Sequence, residues 1–485
     1  MLKKIFFIVS LSVAIASSAQ LSQKFDSLFQ SFYKSGLFEG TALIADSSGI
    51  IYHQSFGFAN YDYQIPNDTV TIFRMGSLEK QFTAMLVLQL IEKGKLSMQG
   101  KISEYLPKYR KETGNIITIE NLLTHTSGIP NYTALPNVWK DSLQLAYQPG
   151  YILQNFCSGD LEFKPGTKYK YSNTDYFILA QILQQVAGKP LKVLLKQNIL
   201  IPAGMYYTGL EDNLNPLPHK ALGYYRLGDT YFNEPYIYVP NTIGAASIYS
   251  TAFDMFLWDR ALYSNKLLSV KSLKSYCSPH FTIDPDYSYG YGWEFTRTVI
   301  SVNDTIETME HSGAIRAFRA VIFRVPNEKK CIILLSNCAN ESGYELFDNI
   351  MQIFRGNIWK KPKQLLADTL YTIMLQSSVE NAIEMYKTLK NTDSTSYDYS
   401  SSSLSFLGER LFLFQNYYEA AAIFNLAVQE NPHFAYGYYY LGKTYEKWGK
   451  PEDAIRAYTK AVDMDKNSRP GIDAAYQLKY LNEHK

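Results

Sequence analysis

The chain has 485 residues, with 47 Lys and Arg against 45 Asp and Glu and a formal net charge of +2. That balance excludes a basic field for nucleic acid, and the length exceeds what one ordinary hydrophobic core fills. The seven histidines are scattered, and no His, Cys and carboxylate grouping has metal-ligand spacing, so no metal or other cofactor is expected.

Residues 1–19 read as a secretory signal: Lys3 and Lys4, an apolar run from Ile5 to Ile15, then Ser17-Ser18-Ala19. The run is too short for an ordinary membrane helix, and no later stretch is long and apolar enough to span. Cleavage is expected before Gln20. No cysteine lies nearby for a lipid anchor, so an exported, periplasmic or secreted protein is expected. Such a compartment permits disulfides, and Cys157, Cys277, Cys331 and Cys338 allow three pairings. The extended run between Cys331 and Cys338 keeps those two apart. Mostly buried free thiols are expected.

Two apolar runs, 41–45 and 50–58, flank the turn Asp46-Ser47-Ser48-Gly49 and predict a hairpin. Next comes Phe73-Arg74-Met75-Gly76-Ser77-Leu78-Glu79-Lys80. An apolar helix starts near Ser77 and stops at Gly94. Residues three apart share a helix face, which sets Lys80 one turn above Ser77, where an amine reaches a hydroxyl. The helix start offers N–H groups and partial positive charge to an anion. The alternative use of the same residues is an N-cap with a solvated lysine; Ser31 and Lys34 share the spacing without catalytic meaning. Glu79 is expected to point away from any cleft.

A second motif is Tyr171-Ser172-Asn173, after the Pro165-Gly166 turn and before the apolar run 177–180. Among 40 tyrosines the bare pattern is cheap. Its setting places Tyr171 and Asn173 on a loop at a helix start, with Asn173 also a candidate cap. The third is His311-Ser312-Gly313-Ala314, expected between strands at 305–310 and 317–325. Gly313 lets a ligand approach strand backbone. The alternative is a strand-edge histidine beside a turn glycine. A strand at 331–335 and a covering helix at 345–354 follow.

With these flanks, and with Leu122-Leu123-Thr124-His125-Thr126-Ser127-Gly128, Gly244-Ala245-Ala246-Ser247 and Tyr289-Gly290-Tyr291-Gly292-Trp293 in order, residues 25–355 resemble the serine β-lactamase and penicillin-binding protein superfamily. The branch is that of class C β-lactamases, D-alanyl-D-alanine carboxypeptidases and related esterases. The resemblance implies an α+β fold: an antiparallel sheet flanked by helices, a helical lobe, and a site between them. It implies Ser77 as the nucleophile of an acyl-enzyme, with Lys80 and Tyr171 sharing the base. Asn173 would bond Lys80 and the substrate amide. The third motif would line the substrate, with the N–H groups of Ser77 and Ala314 as an oxyanion hole. One such donor is typically worth ~3 kcal/mol. His311 stands where that motif has lysine, and histidine is mostly neutral at pH 7. This weakens the case for β-lactam turnover and leaves esterase or peptidase activity. Arg316 and Arg319 either replace the lost cation or face solvent. His125 is expected to order its own turn.

In the tail, Leu407, Gly408, Leu411, Ala420, Phe424 and Ala427 recur 34 residues on as Leu441, Gly442, Tyr445, Ala454, Tyr458 and Ala461. This resembles the tetratricopeptide repeat, with a weaker helix pair at 365–389 and a capping helix at 472–481. The division read from the sequence is a signal at 1–19, a hydrolase domain at 20–362 and an all-α repeat domain at 363–485. The partners expected are a small-molecule or peptide substrate and a protein bound by the repeats; the tail's other reading is a structural appendage. The leading function is an exported serine hydrolase for an ester or amide. A D-alanyl-D-alanine carboxypeptidase and an inert scaffold are the rivals. A chain ending near Lys361 is expected to fold and stay active.

Overall fold

The computed structural model describes residues 19–135, 143–339, 342–466 and 468–483. The proposed signal therefore lies outside the described residues, except for Ala19. The chain divides into two units, one of residues 1–33, 38–223 and 234–360 and one of 34–37, 224–233 and 361–485.

The first unit is built on an eight-stranded antiparallel sheet. Its strands, numbered along the chain, are β1 (Gly40–Asp46), β2 (Gly49–Phe56), β3 (Phe281–Asp284), β4 (Tyr287–Tyr289), β5 (Glu294–Ser301), β6 (Asp304–Ile315), β7 (Phe318–Val325) and β8 (Lys330–Ser336). Their spatial order is β3-β4-β5-β6-β7-β8-β1-β2. β1 and β8 have runs buried on both faces, as befits central strands. The helix Gly343–Phe354 lays Leu346, Phe347, Ile350, Met351 and Ile353 toward the interior, and Phe347 stacks on Phe323 of β7 at 4.3 Å.

The other side of the unit is helical. The apolar run after Ser77 forms α1 (Glu79–Glu92), whose first twelve residues are all buried. A second long helix, α2 (Asn173–Ala187), ends at Gly188 in the left-handed region. One core joins both layers, from Phe82 and Trp258, stacked at 4.3 Å, to Ile322 and Ile333 of the sheet. A three-stranded sheet sets Phe73–Arg74 beside Ile248–Ser250 and Gly209–Leu210.

The third motif is not a loop between strands. Residues 311–315 are the continuation of β6, paired only with β7 once β5 begins at the Glu294–Glu310 pair. The ladder thus extends through the motif, and only its β5 side is left as an edge. β3, β4 and β5 are strands that the sequence reading lacks. All four cysteines are free.

The second unit stacks the helices Leu366–Gln376, Val379–Thr392, Ser401–Leu413, Tyr417–Glu430, Ala435–Lys447, Pro451–Met464 and Arg469–Glu483. The repeat has a packing cause: a Cβ on Gly408 would meet the Phe424 ring, and one on Gly442 the Tyr458 ring. The same unit includes the hairpin Tyr224–Leu227/Thr230–Asn233. Leu227 is wholly buried in a cluster with Leu370 and Tyr371. Phe232 stacks on Phe414 at 3.3 Å, and Arg226 pairs with Asp368 at 2.8 Å.

This hairpin revises the expected outcome of truncation. A chain ending at Lys361 leaves Leu227 and Phe232 without their cover and should aggregate on size-exclusion chromatography. In the full chain, Leu227→Ala should cost about 3 kcal/mol in the unfolding of the repeat unit. A monodisperse truncated chain would refute the first expectation.

Candidate active site

Ser77 follows the strand Phe73–Arg74 in a single 3₁₀ turn, Gly76–Leu78, that feeds α1. Two features hold this turn in place. Arg74 forms a two-pronged bond to Glu211, at 2.7 and 2.8 Å, and also bonds Glu234. The other oxygen of Glu234 accepts from Ala317 N at 3.0 Å, so one buried network holds both the approach to Ser77 and the β6–β7 turn. The second feature is a close backbone approach. A Cβ on Gly313 would fall inside the contact radius of the Met75 carbonyl, and one on Gly76, whose φ is +54°, would crowd Ala314 N. Glycine at both positions lets β6 touch the start of the Ser77 turn.

Lys80 is completely buried. Its Nζ lies 3.0 Å from Ser77 Oγ, 2.7 Å from Asn173 Oδ1 and 3.0 Å from the Ala245 carbonyl. Burial pulls the ammonium down to about 7, against the opposing carboxyls of Glu79, Asp175 and Glu294. A neutral amine has two N–H donors and one lone pair. Carbonyl oxygens only accept, so Asn173 and Ala245 take both N–H groups and the lone pair is left for the Ser77 hydroxyl.

Tyr171 lies in the extended segment before α2, its ring centroid 4.7 Å from Lys80 Nζ. Burial raises its phenol well above the usual range, and a hydrogen bond with Ser77 opposes the rise only in part. Asn173 does not cap α2. Ser172 is the residue before the helix, and the Asn173 side chain is used between Lys80 and Thr133 Oγ1, the latter at 2.8 Å. His311 is buried on β6. Its Nδ1 donates to the Ser312 carbonyl at 2.6 Å, which leaves Nε2 to accept from Tyr289 at 3.2 Å. Burial, then the Lys80 charge, lowers it to about 3, so it is a neutral imidazole. Ser312 and Ala314 alternate to the other face of β6, where a cavity of about 130 Å³ is lined by them with Phe38, Arg319, Ser342 and Tyr344. Arg319 turns its guanidinium onto the carbonyls of Arg316 and Phe318, and Arg316 bonds the Tyr236 carbonyl.

The structure thus brings Ser77, Lys80, Tyr171, Asn173 and His311 together, with Gly313 and Ala314 against the Ser77 turn. His125 does more than order its own turn: Nδ1 meets Asp175 of α2 at 2.8 Å, and Asp175 also accepts from Ser127 at 2.5 Å. The Ala245 carbonyl and Thr133 escape sequence reading. A backbone oxygen has no side-chain signal, although its segment Gly244–Ser247 stands out in the sequence. Among the described residues no group of His, Cys, Asp and Glu is arranged to hold a metal.

This is the arrangement of a serine hydrolase, and comparison with known proteins places it. The family model described as Beta-lactamase matches residues 25–353, and the tetratricopeptide-repeat model matches 435–468. Penicillin-binding protein 4* of Bacillus subtilis (strain 168) is 31% identical over 334 residues, which cover 66% of this chain and 72% of that protein. A crystal structure of a penicillin binding protein from Bacillus halodurans is similar with a TM-score of 0.59 and 27% identity, over 68% of this chain and 98% of that one. A D-amino acid amidase from Ochrobactrum anthropi SV3 shares the fold, with a TM-score of 0.60 and 19% identity over 70% and 99%. The chain belongs to the beta-lactamase family.

Gly313→Ala tests the strand contact. The added methyl group must push β6 from the Ser77 turn, which should destabilise the first unit by about 1–3 kcal/mol and lower activity. An unchanged denaturation midpoint would refute the contact.

Proposed function

We propose that Ser77 attacks an ester or amide carbonyl and is acylated, with Lys80 as the base that takes its proton. The carrying observation is the buried amine with two carbonyl acceptors and Ser77 Oγ as its third neighbour. Tyr171 acts in its protonated form, held over Lys80 and bonded to Ser77: it passes its proton to the leaving group and is reprotonated by the proton that Lys80 took from Ser77. The oxyanion falls to the N–H groups of Ser77 and Ala314, a role supported by the close approach of Gly76 to Ala314 N. A peptide-like substrate lies along the open edge of β6, residues 311–315. Asn173, His311 and Gly313 line its path, with Ser312 contributing only backbone, since its side chain turns to the far face of β6. The neutral His311 favours substrates without a carboxylate at that position, and so esters and amides over β-lactams.

The protein is exported on this reading, which the family of penicillin-binding relatives supports, and the repeats provide a surface for a protein partner. The rival of a D-alanyl-D-alanine carboxypeptidase draws on the names of those relatives.

Ser77→Ala and Lys80→Ala should each remove nearly all turnover, and Tyr171→Phe should cost about 10²- to 10⁴-fold, all with wild-type melting curves. Neutral p-nitrophenyl esters should outpace nitrocefin. Wild-type rates in Ser77→Ala would refute the nucleophile, and nitrocefin rates rivalling the best ester would refute the charge argument. A fluorescent penicillin that stays on Ser77 would favour the carboxypeptidase.

Export and partnering are checked together in cells. The mature chain should begin near Gln20 in the exported fraction and cross-link there to a second protein through the repeats. A chain still starting at Met1 refutes the first, and recovery of the chain alone refutes the second.

A further inference from the structure

Glu79 lies between the nucleophile and its base in the sequence, yet nothing in the reaction as described uses it. It is the first residue of α1 and is 1% exposed. Its side chain turns from the cleft, as expected, and ends in a specific cradle. Oε1 accepts from Gly244 N at 2.7 Å, Oε2 accepts from Ser247 N, and the Ser247 hydroxyl lies 3.0 and 3.1 Å from the two oxygens. One carboxylate therefore clamps both ends of the four-residue loop 244–247. That loop carries the Ala245 carbonyl, one of the two acceptors of Lys80 Nζ. Thr83, one turn along α1, bonds the Gly244 carbonyl at 2.8 Å. The loop continues into Ile248, whose carbonyl accepts from Met75 N at 2.9 Å, just before the Ser77 turn.

We propose that Glu79 is a positioning residue for the base: its carboxylate holds loop 244–247 so that the Ala245 carbonyl aims the Lys80 lone pair at Ser77, and its negative charge sets the pH at which Lys80 releases its own proton. This rests on the reading of Lys80 as the base. The geometry gives both parts. The donors to the carboxylate are two backbone N–H groups and a hydroxyl, a set suited to the ionised form. The charge is one residue from Lys80 in a site without water exposure, where an unscreened neighbour acts strongly. Burial outweighs those donors and the Lys80 charge, and the net effect raises Glu79 to about 7. Two neighbours this close titrate as a pair. Other charged or titratable groups also face Lys80. Asp175 and Tyr176 come from α2, Glu294 from β5, His311 from β6, and Tyr171 and His125 from loops. Asp175 and Glu294 pull the Lys80 value in the same direction as Glu79, but neither touches loop 244–247.

The sign follows. An adjacent anion favours the protonated amine, so removing it makes Lys80 a base at lower pH. Glu79→Gln should move the acid limb of Ser77 labelling by a fluorophosphonate down by about one pH unit. It should also slow the plateau rate about tenfold, because an amide NH₂ now faces a backbone N–H and the loop loosens. Glu79→Asp keeps the charge and loses reach, so its limb should stay at the wild-type pH while the plateau falls. The titration of the Lys80 ε-carbon, followed by NMR in ¹³C-lysine protein and assigned by its loss in Lys80→Arg, should shift with the limb. A Glu79→Gln limb and Lys80 titration that coincide with wild type, with Ser77 labelled in both, overturn the inference alone. A wild-type Ser77 that is never labelled overturns the hydrolytic reading, and this role with it. Should Glu79→Gln not fold, Ser247→Ala removes one donor to the carboxylate. It should move the limb the same way by a smaller amount, and an unmoved limb there overturns the inference equally.

Discussion

The burial of one lysine amine is the constraint from which the site is built. An ammonium taken out of water is costly unless it is paired, and a group in that position tends to give up its proton instead. Lys80 has no carboxylate in direct contact, only two carbonyl oxygens and the Ser77 hydroxyl. Those partners suit the neutral amine as well as the charged one. The carboxyls of Glu79, Asp175 and Glu294 stand further back, and keep the depression to about 7 rather than lower. The result is an amine that exchanges its proton near neutral pH, the property that the proposed role of base requires.

The same constraint explains why distant parts of the chain meet here. The amine needs acceptors from two sides, and α2 provides Asn173 while loop 244–247 provides the Ala245 carbonyl. Each is locked by contacts of its own: Asn173 by Thr133, the loop by Glu79 and Thr83. Ser77 must then be presented to the strand that completes the cleft. Gly76 and Gly313 permit the backbones to touch, and the Arg74–Glu211–Glu234 network holds the two walls together. A buried ion-pair network is a poor source of net stability but fixes geometry well when all its oxygens are used, as Glu234 shows by bonding both Arg74 and Ala317 N.

How much of this was legible in the sequence depends on whether the information sits in side chains or in backbone. Ser77, Lys80, Tyr171, Asn173 and His311 were readable because their chemistry and spacing are carried by residue identity. β1, β2, β7 and β8 were readable from apolar runs bounded by turns, and the repeats from a period of small and large residues that pack on each other. The Ala245 carbonyl was not readable, since any residue offers one. The placement of His311–Ala314 within β6 was missed because glycine and serine signal a turn, whereas ladder pairing with β7 overrides that preference. Asparagine at a helix start signals a cap, but here tertiary demand from Lys80 takes the Asn173 side chain. The hairpin 224–233 carries no sequence signal tying it to the repeat unit, because its Leu227 and Phe232 find partners more than a hundred residues later.

The charge of the cleft follows from the same accounting. His311 is neutral for two reasons that reinforce each other: it is buried, and the nearby Lys80 disfavours a second cation. Its two ring nitrogens are spent on the Ser312 carbonyl and Tyr289. Glu310, next in the chain, alternates with His311 to the far face of β6, where it pairs with Glu294 of β5 and burial lifts each to about 7. Two carboxyls set directly opposite cannot both ionise cheaply. On the cleft face of β6, His311 therefore provides no fixed cation at neutral pH. Arg319, the nearest candidate on the third motif's far side, spends its guanidinium on the turn that follows β6. Under the proposed function, any discrimination by charge therefore rests on the neutral His311 of β6 rather than on Ser77 and Lys80.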